Sequence, residues 1–209
     1  EMTDGTIVSG ESKIPEARKR IKKMMMCPEN APATSGAVEA ILKADVLIFG
    51  PGSLYTSVIP NLLVEEIREA VVKSEAVKIY VCNVMTQPGE TDGYGAFEHV
   101  KALLDHVGEQ FLDYVIVNDE RISTEQLKQY LAEGSMPVTP DVDKIRRLGI
   151  TVVPASLISK KDLVRHEPKK LSRVLITLIY RLRLFGKGVQ FFDYIFMRHG
   201  LNIMEKEQK

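Results

Sequence analysis

The sequence predicts an α/β protein: a mainly parallel β-sheet with helices on both faces, preceded by a small N-terminal β-hairpin region. Three observations predict it. The short apolar runs Val46–Phe49, Val77–Cys82, Tyr114–Val117 and Ile150–Val153 alternate with segments whose apolar residues recur every three and four positions, the pattern of strands joined by crossover helices. Within Val46–Phe49 the hydrophobicity is unbroken, as it is in a parallel strand covered on both faces. The first three runs end in polar loops rich in glycine, amides or hydroxyls, and a parallel sheet gathers such loops at its carboxyl edge, where ligands bind.

Composition bounds the rest. With 209 residues and 44% hydrophobic content, the chain can bury the core of one large domain, or of one domain with an appendage, one compact domain being the simpler of the two. The expected division is an α/β domain over 1–180 and a basic, aromatic tail over 181–209. Lys+Arg and Asp+Glu both number 28, so no net basic field favours nucleic acid, which is not an expected partner. Cys27 and Cys82 lie in apolar runs and are expected as reduced, buried thiols in a cytoplasmic protein. The opening Glu1–Gly5 lacks the basic-then-apolar pattern of a signal peptide. In the tail, Arg181, Arg183, Lys187 and Arg198 interrupt the aromatic residues before a bilayer could be crossed, leaving an interface or a membrane surface as its alternatives.

Taken in order, Asp4-Gly5 suits a hairpin turn leading into a strand at Thr6–Val8. Lys13 to Lys23 is strongly basic, a solvated face or an attraction for a ligand phosphate. Thr34 or Ser35 is placed to cap a helix reaching about Lys43, and Asp45 leads into Val46–Phe49. After the glycine turn, Glu65 and Glu66 complement the dipole of a helix with Ile67, Ala70 and Val71 inward. Following Val77–Cys82 and its loop, a helix carries Phe97, Val100, Leu103, Leu104 and Val107 inward, with His99 and His106 nearer its rim. Their spacing of seven gives no helical metal pair. Ser123 and Gln126 match a capping box for a helix burying Leu127, Tyr130 and Leu131 and ending at Gly134. Asp141 to Arg147 marks a surface connection, and Pro154 suits an edge strand. Pro168 opens a helix with Leu171, Val174, Leu175, Leu178 and Ile179 on one face.

If the first three strands lie side by side, the loops at 50–57, 83–94 and 118–121 line one crevice. Gly50, Pro51 and Gly52 allow close backbone approach, with hydroxyls at Ser53, Tyr55, Thr56 and Ser57; the second loop offers Asn83, Thr86, Gln87, Glu90 and Thr91. Amides and hydroxyls of this kind fix a polar ligand by paired donors and acceptors, although each residue singly could instead cap a strand or helix. The turn lacks the lysine of a phosphate-binding P-loop and places Tyr55 where a dinucleotide fingerprint has its third glycine. No catalytic residue and no metal centre is assigned.

GPGSLYTSVIPNLL over 50–63 together with NVMTQPGETDG over 83–93 resembles the bacterial gluconeogenesis factor family, within the 2-phospho-L-lactate transferase (CofD)-like fold. The likeness extends to Asp4-Gly5, Gly10–Ser12, Asp113–Asn118 and Val164–Pro168. It implies a Rossmann-like fold and a ligand of nucleotide-sugar type, UDP-N-acetylglucosamine. It also implies a regulator supporting growth on gluconeogenic carbon sources and cell-shape or wall homeostasis; a homo-oligomer is a further partnership left open by the sequence. The family's first strand and glycine-rich turn have no counterpart in this sequence, so a truncated chain with part of the pocket missing is expected. A phosphoryl-transfer enzyme, using a nucleotide-linked donor and a divalent metal held by carboxylates, is the competing reading.

Overall fold

A computed structural model of the chain describes residues 1–159 and 164–185. In chain order its elements are α1 (Lys13–Glu16), α2 (Ala37–Lys43), β1 (Val46–Phe49), a π-helical turn (Leu54–Val58), α3 (Ile59–Leu62) and α4 (Glu65–Lys73). There follow β2 (Val77–Val81), α5 (Ala96–Val107), β3 (Tyr114–Asn118), α6 (Thr124–Ala132), α7 (Val142–Arg146), β4 (Thr151–Ala155) and α8 (Pro168–Phe185). The strands form a four-stranded, all-parallel sheet in the order β1-β2-β3-β4. Pro154 sits in edge strand β4, where its missing N–H is tolerated.

Strand alternation divides the core in two. Tyr80, Cys82, Val115, Val117 and Val152 face α3, α4, α5 and α7, while Val77, Ile79, Val81, Tyr114, Ile116 and Val153 face α8. The amphipathic stripe of α8 buries Leu171, Val174, Leu178 and Leu182, each fully buried side chain contributing ~2 kcal/mol gross. Burial pushes the Cys82 thiol up to about 12, so it packs as a small apolar group. Among the described residues no helix is long and apolar enough to cross a membrane.

Several local expectations are corrected. Asp4-Gly5 does form a turn, closed by the Gly5 N–H donating to Met2 O, but Thr6–Val8 is not a strand. Met2 instead forms an antiparallel bridge with Ile21. In the basic segment, Lys19 and Lys22 pair with Asp4 and Glu1. Cys27 is exposed. Gly36, in the left-handed region, precedes α2 in place of a hydroxyl cap.

Among the described residues β1 is not covered on both faces: it is the outer strand, and Ile48 is 44% exposed. His99, expected near a rim, is fully buried, whereas Leu131 is exposed. The connection at 141–147 contains α7, whose Ile145 is fully buried between α5 and β4. At α6 the Gln126 N–H donates to Ser123 Oγ, which in turn donates to Gln126 Oε1, while the Gln126 amide nitrogen donates to Ser159 O. The helix α8 continues past Tyr180 to Phe185, and the tail over 186–209 lies outside the described residues.

Candidate functional site

The parallel order of β1, β2 and β3 brings the three loops to one edge of the sheet. At the end of β1 the backbone turns at Gly50 with φ +85°, where a Cβ would stand 3.1 Å from Val81 O. Both the torsion and the neighbouring strand therefore require glycine. The chain then enters a π-helical turn in which Ser53 O accepts N–H bonds from Ser57 at 2.9 Å and Val58 at 3.0 Å. Single π turns recur at functional sites because they re-aim side chains. This one turns Leu54, Tyr55 and Val58 into the core, leaving Thr56 half-buried and Ser57 exposed.

The loop after β2 is held by a second set of bonds. Val138 N–H donates to Val84 O at 2.9 Å, Thr86 N–H to Met136 O at 2.7 Å, and Met136 N–H to Thr86 Oγ1 at 2.9 Å. Gln87 N–H donates to Thr91 Oγ1 at 2.8 Å, and Gly89 N–H to Asp92 Oδ2 at 2.6 Å. Gly89, at φ +82°, packs so closely on α1 that a Cβ would fall 2.0 Å from Pro15 O.

Two contacts join the loops. The Tyr55 and Tyr94 hydroxyls are 2.8 Å apart, and Thr56 Oγ1 donates to Glu90 Oε1 at 3.3 Å. Glu90 is only 4% exposed. Burial raises its carboxyl pKa above the usual range, against the opposing hydrogen bond from Thr56.

These bonds sort the expected site residues. Tyr55, Thr86 and Thr91 are buried with their hydroxyls engaged inside the protein, so they help to build the loops. Glu90 and Thr56 clasp the loops together. Gly50, Pro51, Gly52, Ser53 and Ser57 remain along the first loop. In the second, Asn83 Oδ1 and Gln87 Oε1 are buried without a hydrogen-bond partner. The third loop is closed on itself: Asn118 Oδ1 accepts Leu157 N–H and its amide donates to Glu120 O. On the β1 side, a groove of about 440 Å³ lined by Ile41, Leu47, Phe49, Gly52, Asn61 and Val71 adjoins the glycine turn.

One neighbour carried no chemical role in the sequence. His166 Nε2 lies 3.1 Å from Cys82 O, directly before Asn83. Its only signal was position within the Val164–Pro168 stretch. Nearby, Lys170 Nζ donates to Glu120 Oε2 at 3.0 Å and Ile158 O at 3.0 Å, tying the exit of β4 to the start of α8. Among the described residues no three His, Cys, Asp or Glu side chains are grouped to hold a metal ion.

A family model described as "2-phospho-L-lactate transferase CofD" matches residues 1–158. The chain belongs to the CofD family. This CofD-family chain is 45% identical over 180 residues to the gluconeogenesis factor of Bacillus subtilis, covering 86% of itself and 57% of that relative. It is 46% identical over 177 residues to the gluconeogenesis factor of Halalkalibacterium halodurans, covering 84% of itself and 55% of that protein. The crystal structure of a UPF0052 family member from Bacillus halodurans superposes with TM-score 0.81 at 46% identity, over 84% of this chain and 57% of that one. The chain thus spans a little over half the length of these relatives.

Proposed function

We propose that this chain is the nucleotide-sugar-binding part of a gluconeogenesis factor, a cytoplasmic regulator that binds UDP-N-acetylglucosamine without turning it over. The observation that carries the reading is the pair of buried amide oxygens, Asn83 Oδ1 and Gln87 Oε1, left without partners at the carboxyl end of β2. A buried unpartnered acceptor costs about 1–3 kcal/mol, and a ligand donor relieves that cost. Gly50, Gly52, Ser53 and Ser57 offer the diphosphate close backbone approach and hydroxyl donors. The names of the relatives from Bacillus subtilis and Halalkalibacterium halodurans support the gluconeogenic setting. Control of growth on gluconeogenic carbon sources and of cell shape or wall homeostasis belongs to the same reading.

Isothermal titration with UDP-N-acetylglucosamine tests it. The chain is expected to bind, and Asn83→Ala with Gln87→Ala to weaken binding at least tenfold, the loss of one to two hydrogen bonds. No heat of binding by the unaltered chain would end the proposal. A second reading, phosphoryl transfer, rests on the description of the family model. Release of a nucleoside monophosphate from a nucleotide-linked donor with magnesium present would support it over the first.

A further inference from the structure

We propose that His166 is a ligand-binding residue of this crevice, its Nδ1 accepting a hydrogen bond from an N–H or O–H of the bound molecule; the proposal rests on the nucleotide-sugar reading above. The ring's sense is fixed by its partner. A carbonyl oxygen only accepts, so the 3.1 Å contact to Cys82 O places the hydrogen on Nε2. In the neutral ring the lone pair is then on Nδ1, which has no hydrogen-bond partner among the described residues.

The way the ring reaches this position points in the same direction. It comes from the segment between β4 and α8, yet it lands on Cys82, the residue after β2, past the intervening β3. That reach is built from several bonds: the Ile158–His166 bridge, Ser159 N–H to Arg165 O at 3.0 Å, Glu167 N–H to Leu157 O at 2.7 Å and Val164 N–H to Tyr130 Oη at 2.9 Å. A segment that only linked β4 to α8 would not need to touch β2.

The location decides what is recognised. Cys82 immediately precedes Asn83, so the imidazole stands beside the loop whose Asn83 and Gln87 oxygens are buried and unpartnered. Those amides carry donors as well as acceptors, whereas His166 Nδ1 can only accept. The end of β2 therefore suits the donor-bearing part of the ligand, a nucleobase ring N–H or a sugar hydroxyl. A diphosphate, an acceptor throughout, belongs at the Gly50–Ser57 turn. The ligand would lie across the edge with its phosphates over β1 and its donors over β2.

Protonating Nδ1 would turn the acceptor into a donor, so binding should weaken in acid. Of the charged groups near the ring, Glu120 pairs with Lys170 Nζ, Glu167 accepts from the Lys170 N–H, Asp141, whose charge acts on Cys82, pairs with Lys144, and Arg165 is exposed.

The test is titration of the full 209-residue chain with UDP-N-acetylglucosamine from pH 5 to 8, for the unaltered protein, His166→Ala and His166→Gln, with thermal melts to confirm folding. His166→Ala is expected to bind about tenfold more weakly. The unaltered chain is expected to lose affinity towards pH 5. His166→Gln keeps a donor for Cys82 O and an acceptor oxygen but does not titrate, so its affinity should be flat with pH. A role confined to holding the loop would leave the pH profile of His166→Gln like that of the unaltered chain. If His166→Ala does not fold, the His166→Gln profile decides. Folded variants that bind with unchanged affinity and pH profile overturn the proposal alone, whereas an unaltered chain that does not bind overturns the nucleotide-sugar reading and this proposal together.

Discussion

At the scale of single residues, the site separates groups whose bonds are complete from groups whose bonds are not. Glu90 shows how burial sets a residue's chemistry. Its carboxylate lies between the two loops, and burial raises its pKa despite the Thr56 hydrogen bond. A carboxyl whose folded pKa lies above its unfolded value is favoured by folding when protonated, so its ionisation costs stability once pH passes that folded value. Glu90→Gln is accordingly expected to raise the melting temperature at pH 8 and to leave it nearly unchanged at pH 4, below the ordinary value of 4.5. Thermal denaturation at the two pH values checks this; a lower melting temperature for Glu90→Gln at pH 8 would show that the ionised clasp is favourable. The buried histidines act with the opposite sign. Burial lowers the pKa of His99, His106 and His166, so their contribution is present above about pH 6.5 and is lost as pH falls towards their folded values.

At the scale of elements, the two loops gain their shape from what they rest on. The loop after β2 is bonded to residues 135–138 and presses Gly89 against Pro15 of α1. Gly89→Ala combines a φ that favours glycine with a collision against backbone, which no rotamer change can relieve. A loss of at least ~2 kcal/mol is expected, measured as a lowered urea midpoint; an unchanged midpoint would mean that the loop does not need α1. The π-helical turn explains a second feature. Its geometry drives Tyr55 inward to Tyr94 and leaves Ser57 at the surface. Hydroxyls adjacent in sequence thereby acquire different roles, which the run Leu54-Tyr55-Thr56-Ser57 alone does not reveal.

For the whole molecule, the sheet order places the glycine turn on an outer strand. β1 pairs with β2 alone among the described strands, and its Ile48 is exposed. An apolar strand with an unpaired edge is a template for association. The chain is therefore expected to self-associate at high concentration, with Ile48→Lys reducing that tendency. Static light scattering across a concentration series would reveal it, and equal scattering by both proteins would remove β1 from consideration. In open α/β sheets the binding crevice forms where strand order reverses. The order here runs in one direction from β1 to β4, so no such reversal falls among the described strands.

Sequence alone determined the alternation of elements, the amphipathic stripes of α5 and α8, the glycine turn and the family. Each depends on local torsion, on periodic burial or on a contiguous motif. The parallel sheet with helices on both faces followed from that alternation. Only the tertiary structure decided that the Tyr55, Thr86 and Thr91 hydroxyls are engaged inside the protein, that Asn83 and Gln87 keep unpartnered oxygens, and that the apolar run of β1 lies at an edge of the described strands. It also set His166 beside a strand end 84 residues earlier in the chain. The physical reason is shared: a residue's intrinsic preferences act over a few neighbours, whereas whether its polar atoms are satisfied depends on which distant segments fold against it.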